Sequence, residues 1–266
     1  MFAPEQEGGI PQDREPSNVS PELTRELFVS LLKTPDIVDA MRHAVSRTDV
    51  MALSVLNDNV IDVSAEHAFH VVYSQGSIVA TEGKDIRPWK ESEYNAVPAT
   101  VEGQRLIAVH THLPSFDPFI NPSAIENDAE GNWVGDLFAL LVARVQNEQA
   151  VASGSTKPSA DRPVTLIFQH NWESNLVRIL AIRESVNAAA RSHEETVIWL
   201  LQLDKVLNIA QSQDDVISFL RLAGYATGFA EIHGTEFFTR QAGLEDEHIA
   251  AIAGAFDDVS PTSGKD

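Results

Sequence analysis

The sequence predicts an α+β fold, a mixed sheet with flanking helices, followed by a helical extension. Three observations carry this reading. Short runs rich in β-branched and aromatic residues occur between positions 50 and 83, and again at 106–110 and 164–168. Apolar residues recur at helical spacing before the first run, at 133–146, and through most of the chain after 184. Hydrophobic residues make up 43% of the 266 positions, enough to build a sizeable core.

The elements follow in order. Residues 1–19 are acidic and rich in Pro and Gly, and read as a disordered tail. Ser20 is placed to cap a first helix, with Pro21 at its first position and Leu23, Leu27 and Leu31 on its apolar face. Thr34, Pro35 and Asp36 repeat the start signal for a second helix, whose apolar side carries Ile37, Val38, Met41 and Val45. From Val50 the pattern changes. VMALSVL, NVIDVS, AFHVVYS and SIVATEG read as four short strands, and His67 and His70 as structural residues among them. Residues 86–99 form an irregular link, and 106–110 a further strand. Ser123 opens a helical stretch, SAIENDAEGN, and 133–146 form a helix striped by Leu137, Leu140, Leu141 and Val145. Residues 147–163 read as an exposed loop, 164–168 as a buried strand and 175–182 as one more. The remainder reads as helices over 186–210, 214–232 and 244–256, with Gly224 and Gly228 four apart for close helix packing. The expected organisation is a tail over 1–19, an α/β domain over 20–183, a helical extension over 184–257 and a C-terminal tail over 258–266.

Composition removes several functional classes. A formal charge of −20 and a pI near 4.7 argue against a nucleic-acid or anionic-membrane surface. The chain has no cysteine, which excludes disulfides, thiol nucleophiles and cysteine-ligated metals. No run approaches the roughly 20 apolar residues that span a bilayer, and no signal-peptide pattern is present, so a cytoplasmic location is expected. Neither GxxxxGK[ST] nor GxGxxG occurs. A homo-oligomer is left open.

The most informative residues are His110 and His112, at the end of the apolar run LIAVH. On a strand, side chains two apart share a face, so both imidazoles can reach one metal ion. A proline-rich loop follows, then Asp117, Ser123, Glu126 and Asp128. Ser123 and Glu126 fit a helix capping box, which explains both without chemistry. The same geometry also sets a hydroxyl and a carboxylate at a helix start near the strand end. Two imidazoles and a carboxylate, with water in the fourth position, suit catalytic zinc.

His110, His112, Ser123 and Glu126, in this order and near this spacing, resemble the JAB/MPN metalloprotease domain. Its signature is H-x-H-P, a loop, then S-x-x-D, with a glutamate well upstream. The resemblance implies a cytidine-deaminase-like sheet and a single zinc ion held by His110, His112 and Glu126. It also implies that Ser123 helps hold the oxyanion and that Asp49 serves as general base. The expected substrate is a protein or peptide, including ubiquitin-like conjugates. The chain departs from the pattern in four places: proline comes one residue late at Pro114, the loop to Ser123 is slightly long, Glu126 stands for aspartate, and Asp49 stands for glutamate. Asp117 and Asp128 are alternative acidic ligands. Two other readings stay open. One is a catalytically inactive structural or protein-interaction protein. The other is an amidohydrolase- or phosphoesterase-like metal hydrolase, drawing further ligands from His170, His193 and His233.

Overall fold

The computed structural model describes residues 22–58, 66–74, 76–86, 104–115, 118–127, 131, 133–152, 162–240 and 242–257. Both expected tails, the strand expected at 59–64 and most of the link expected at 86–99 lie outside these residues. Two helices come first, α1 (Arg25–Leu32) and α2 (Pro35–Asp58). Strands β1 (Glu66–Ser74), β2 (Ser77–Ala80), β3 (Lys84–Ile86) and β4 (Gln104–Thr111) follow. A two-residue pair, β5 (Glu126–Asn127) and β6 (Trp133–Val134), leads into α3 (Asp136–Ala152). Then come β7 (Val164–Asn171), β8 (Leu176–Glu184), α4 (Val186–Ala189), α5 (His193–Leu207) and α6 (Gln213–Leu222). The described chain ends with β9 (Tyr225–His233), α7 (Gly234–Thr239), α8 (Asp246–Ile252) and a 3-10 turn (Ala253–Phe256).

Seven strands make one mixed sheet in the order β2-β1-β4-β7-β8-β9, with β3 also paired to β1. The β4–β7 pair is parallel and the other pairs are antiparallel. A parallel pair needs a long crossover, and α3 lies within it. Alternation along the strands sorts side chains onto two faces. One face carries Phe69, Val109, Leu166, Phe168 and Ile179, packed with Phe28 of α1, Val38 and Met41 of α2, and Ile249 of α8. The other carries Ile167, Leu180 and Ile182, packed with Leu137 and Leu140 of α3, Leu200 and Leu203 of α5, and Val216 of α6. The α+β class with helices flanking a mixed sheet is therefore the architecture of the chain. No helix among the described residues is long and apolar enough to cross a membrane.

Four local expectations are corrected. The first helix is capped by Thr24, whose side chain accepts from the Leu27 N–H, and Ser20 and Pro21 lie outside the described residues. The run VMALSVL is the last part of α2, not a strand. Val45, Thr48 and Met51 are buried while Val50 and Leu53 are exposed, which is helical periodicity. Packing against the sheet overrides the β propensity of that run. The stretch expected as a helix from 123 holds strand β5 instead, preceded by residues outside any helix or strand. Finally, the helix expected over 214–232 stops at Leu222. Gly224 takes φ +93, where an L side chain is strained, and turns the chain into β9. That strand pairs with β8 at nine positions, from Glu184↔Tyr225 to Leu176↔His233. Its sequence, YATGFAEIH, interrupts the strand formers Tyr, Thr, Phe and Ile with Ala, Gly and Glu, so sheet pairing decides its state. Gly228 serves close packing, but on a strand: a Cβ there would lie 2.0 Å from the Ile252 carbonyl oxygen at the end of α8.

Candidate metal centre

Strand β4 lies inside the sheet between β1 and β7 and is buried along its whole length. His110 closes its last turn of alternation on the α3 side, and His112 follows just beyond Thr111. Their rings lie 5.2 Å apart. The sheet beneath is lined by Ala68 and Ala108, which pack with Ala139 of α3. These small side chains leave the helix start close to the strand end.

That helix start supplies the acid. Asp136 is the first residue of α3. Its Oδ1 is 2.8 Å from His110 Nε2 and its Oδ2 is 3.2 Å from His112 Nε2. The three side chains are 6, 5 and 17% exposed for Asp136, His110 and His112. Gly135 sets the approach with φ +132, and a Cβ there would come 3.0 Å from the Ala124 carbonyl. Ser123 locks the carboxylate reciprocally. Its N–H donates to Asp136 Oδ2 at 2.8 Å, and its Oγ accepts from the Asp136 N–H at 3.2 Å. The carbonyls of Ser123 and Ala124 accept from Leu137 and Phe138 N–H groups without helical geometry of their own. Ser123 is thus a helix cap, as its residue type suggests, but for a helix that starts thirteen residues later.

One ligand atom from each of His110, His112 and Asp136 lies within 4.8 Å of the others, so this group can hold a metal ion. Burial alone would raise the Asp136 carboxyl. The charges and hydrogen bonds of His110 and His112 outweigh it and hold the group well below the usual carboxylate range. The helix N-terminus favours the same ionised state.

A second carboxylate converges on the group. Glu66 begins β1, and the register Ala68↔His110 puts Glu66 on the same face as the two imidazoles. Burial raises its pKa, against the pull of the His112 and His110 charges and with added repulsion from Asp136. It also accepts a hydrogen bond from the Leu113 backbone.

The residues expected from sequence divide. His110, His112 and Ser123 come together. Asp49 does not join them: it faces His170 and Trp172 on the opposite side of the sheet, at 2.7 Å and 3.2 Å. The alternation of β7 explains this, because His110 pairs with Ile167 whereas His170 shares the face of Phe168. Glu126 lies exposed on β5, outside the three-ligand group. It is close enough that burial, then the charges of Asp136 and Asp204, raise its pKa. Asp117 and Asp128 lie outside the described residues. His170 is held by Asp49, His193 lies 3.3 Å from Glu148 at the start of α5, and His233 is exposed at the end of β9. The sheet therefore brings none of these three to His110 and His112.

Asp136 and Glu66 are the acids at the histidines that no sequence expectation names. The usable signal for Asp136 was its place at the start of a strongly apolar helix directly after a glycine. Glu66 gave no local signal, since only the pairing of β1 with β4 brings it to the histidines. Comparison with protein-family models, curated proteins and solved structures finds no match.

The arrangement predicts the fate of Glu126→Gln. Zinc affinity in this variant is expected to stay within about twofold of wild type, because a mutation away from a special contact changes energies by less than about 0.5 kcal/mol. Isothermal titration with zinc measures it, and a loss of tenfold or more would make Glu126 a ligand after all.

Proposed function

We propose that the protein is a zinc-dependent hydrolase of peptide or isopeptide bonds, of the JAB/MPN kind, with Glu66 rather than Asp49 as its general base. The observation that carries this reading is the convergence of Glu66 on the His110–His112–Asp136 group. A purely structural metal site needs ligands only. A hydrolytic site needs an additional basic group beside them.

His110, His112 and Asp136 would hold the ion. The donor set fits: two imidazole nitrogens and one carboxylate oxygen leave a coordination position free, as catalytic zinc requires. Zinc in such a site supplies Lewis acidity and makes water acidic enough to lose a proton near neutral pH. Glu66 is suited to accept that proton, since its pKa is raised by burial and is thereby closer to the working pH. The same carboxyl can then return the proton to the departing amine. Ser123 fixes the carboxylate that ligates, and its hydroxyl proton is a donor for a developing oxyanion. The expected substrates are peptides and ubiquitin-like conjugates, which the resemblance to JAB/MPN domains suggests.

Metal content tests the foundation. Protein purified without chelator is expected to carry roughly one zinc per chain, and the His110→Ala/His112→Ala variant close to none, because catalytic zinc sites rest on three protein ligands. Elemental analysis of both proteins decides. Equal, near-zero zinc in the two would end the metal reading and the hydrolase with it.

A further inference from the structure

We propose that Asp49 and His170 form a clamp on the far face of the sheet that positions His112 for the metal. The inference rests on the metal reading above and adds a control on that site which touches none of its ligands.

Strand β4 ends at Thr111. Beyond it, residues 112–115 are fastened to the end of β7 through the backbone. The His112 N–H donates to the Phe168 carbonyl at 2.7 Å and the Ser115 N–H to the His170 carbonyl at 3.3 Å. Ser115 also bridges Asn171 in parallel register. The position of the His112 ring therefore follows the position of residues 168–171.

The side chains that secure this strand end lie on the other face. His170 Nδ1 is 2.7 Å from Asp49 Oδ2, and Trp172 Nε1 donates to Asp49 Oδ1 at 3.2 Å, so both carboxylate oxygens are engaged. His170 Nε2 lies 3.2 Å from Asn175 Oδ1. With an oxygen facing each ring nitrogen, the doubly protonated ring satisfies both contacts. Asn175 is itself locked. It takes φ +52, a conformation asparagine tolerates better than most residues. Its carbonyl accepts from Gly234, where a Cβ would lie 2.2 Å from the Asn175 side-chain oxygen. Phe238 packs edge-on against the imidazole at 5.5 Å. Helix α2 thus grips two neighbouring strands with consecutive residues: Thr48 bonds Thr111 of β4, and Asp49 bonds His170 of β7.

The clamp is charged, so it depends on pH. Burial alone would lower the His170 pKa. The hydrogen bond and charge of Asp49, with the bond to Asn175, outweigh burial and raise it. Asp49 is the charged group acting on the ring, and Asn175, Trp172 and Phe238 complete its surroundings. A raised folded-state pKa means the clamp is complete below the ordinary histidine range and is lost as pH rises through the raised value.

The test compares zinc affinity, by chelator competition, in wild type and Asp49→Asn at about pH 6.5, the ordinary histidine value, and at about pH 9, well above it. At the lower pH the variant is expected to bind zinc about tenfold more weakly, the scale on which outer partners of metal ligands act. At the higher pH the difference should shrink, because wild-type His170 has lost its proton too. In parallel, the His170 ring titration followed by NMR should move to lower pH in the variant. If Asp49→Asn does not fold, Trp172→Phe removes one bond to Asp49 while keeping an aromatic ring, and should show a smaller loss in the same pH direction. Equal affinities in wild type and variant, or a loss of the same size at both pH values, would overturn the clamp alone. A wild type that takes up no zinc at either pH would overturn the metal reading, and the clamp with it.

Discussion

Glu66→Gln is expected to slow peptide-bond hydrolysis by roughly 100- to 10,000-fold, the range a positioned general base contributes. Zinc should remain bound, because Glu66 stands outside the three-ligand group. The amide keeps the shape and an acceptor oxygen for the Leu113 backbone N–H, so the start of β1 should hold. What the variant lacks is a group able to take up a proton. The pH profile gives a second readout. Burial raises the Glu66 pKa, so the acid limb of wild-type activity should lie above the ordinary glutamate range. The residual activity of Glu66→Gln should lack that limb. Asp49→Asn provides the contrast. Saturated with zinc, it should retain most of the wild-type rate, since Asp49 faces the opposite side of the sheet. Zinc-dependent cleavage of a peptide or ubiquitin-like reporter measures all three proteins. A rate unchanged in Glu66→Gln but abolished in zinc-saturated Asp49→Asn would return the base to the position first expected from sequence.

The parts of the fold legible in the sequence were those fixed by local pattern. The apolar run before His110 and the one at 164–168 are strands because their residues are β-branched or large and are buried on both faces. Helix α3 follows from its leucine stripe, and the start of α2 from Pro35 and Asp36. The two-residue period of a strand was enough to put His110 and His112 on one face. What failed depended on contacts distant in sequence. Strand β9 mixes strand formers with Ala, Gly and Glu, so its local pattern is ambiguous, and its nine-position pairing with β8 makes it a strand. The acids failed for the same reason. Sequence proximity favoured Glu126, three residues after Ser123, yet Ser123 caps the helix that begins at Asp136. Asp49 was favoured by its place after a helical stretch and before an apolar run. That run continues the helix, and its packing turns Asp49 toward the face opposite the histidines. Glu66, eight residues after the end of α2 at Asp58, reaches the site through sheet register alone.

Asp136→Asn is expected to weaken zinc binding by more than about 100-fold, beyond the 10- to 100-fold that outer partners of a ligand cost. The substitution keeps a side-chain oxygen for the Ser123 N–H and leaves the Asp136 backbone N–H to bond Ser123 Oγ, so the junction into α3 should survive. It removes the charge that the two imidazoles surround. A neutral amide is a poor ligand for zinc, and two histidines alone hold the ion weakly. The metal-free protein offers an independent check. The Asp136 carboxyl is depressed in the folded state by His110 and His112, despite its burial. Its contribution to stability is therefore complete above the ordinary carboxylate range and is lost only as pH falls through the depressed value. Above the ordinary carboxylate range the apo variant should melt at lower temperature than apo wild type, and the two curves should converge in strong acid. Zinc titration and chelator-treated melts against pH measure both effects. A variant that bound zinc as tightly as wild type would exclude Asp136 from the ligand set, whatever its distance from the histidines.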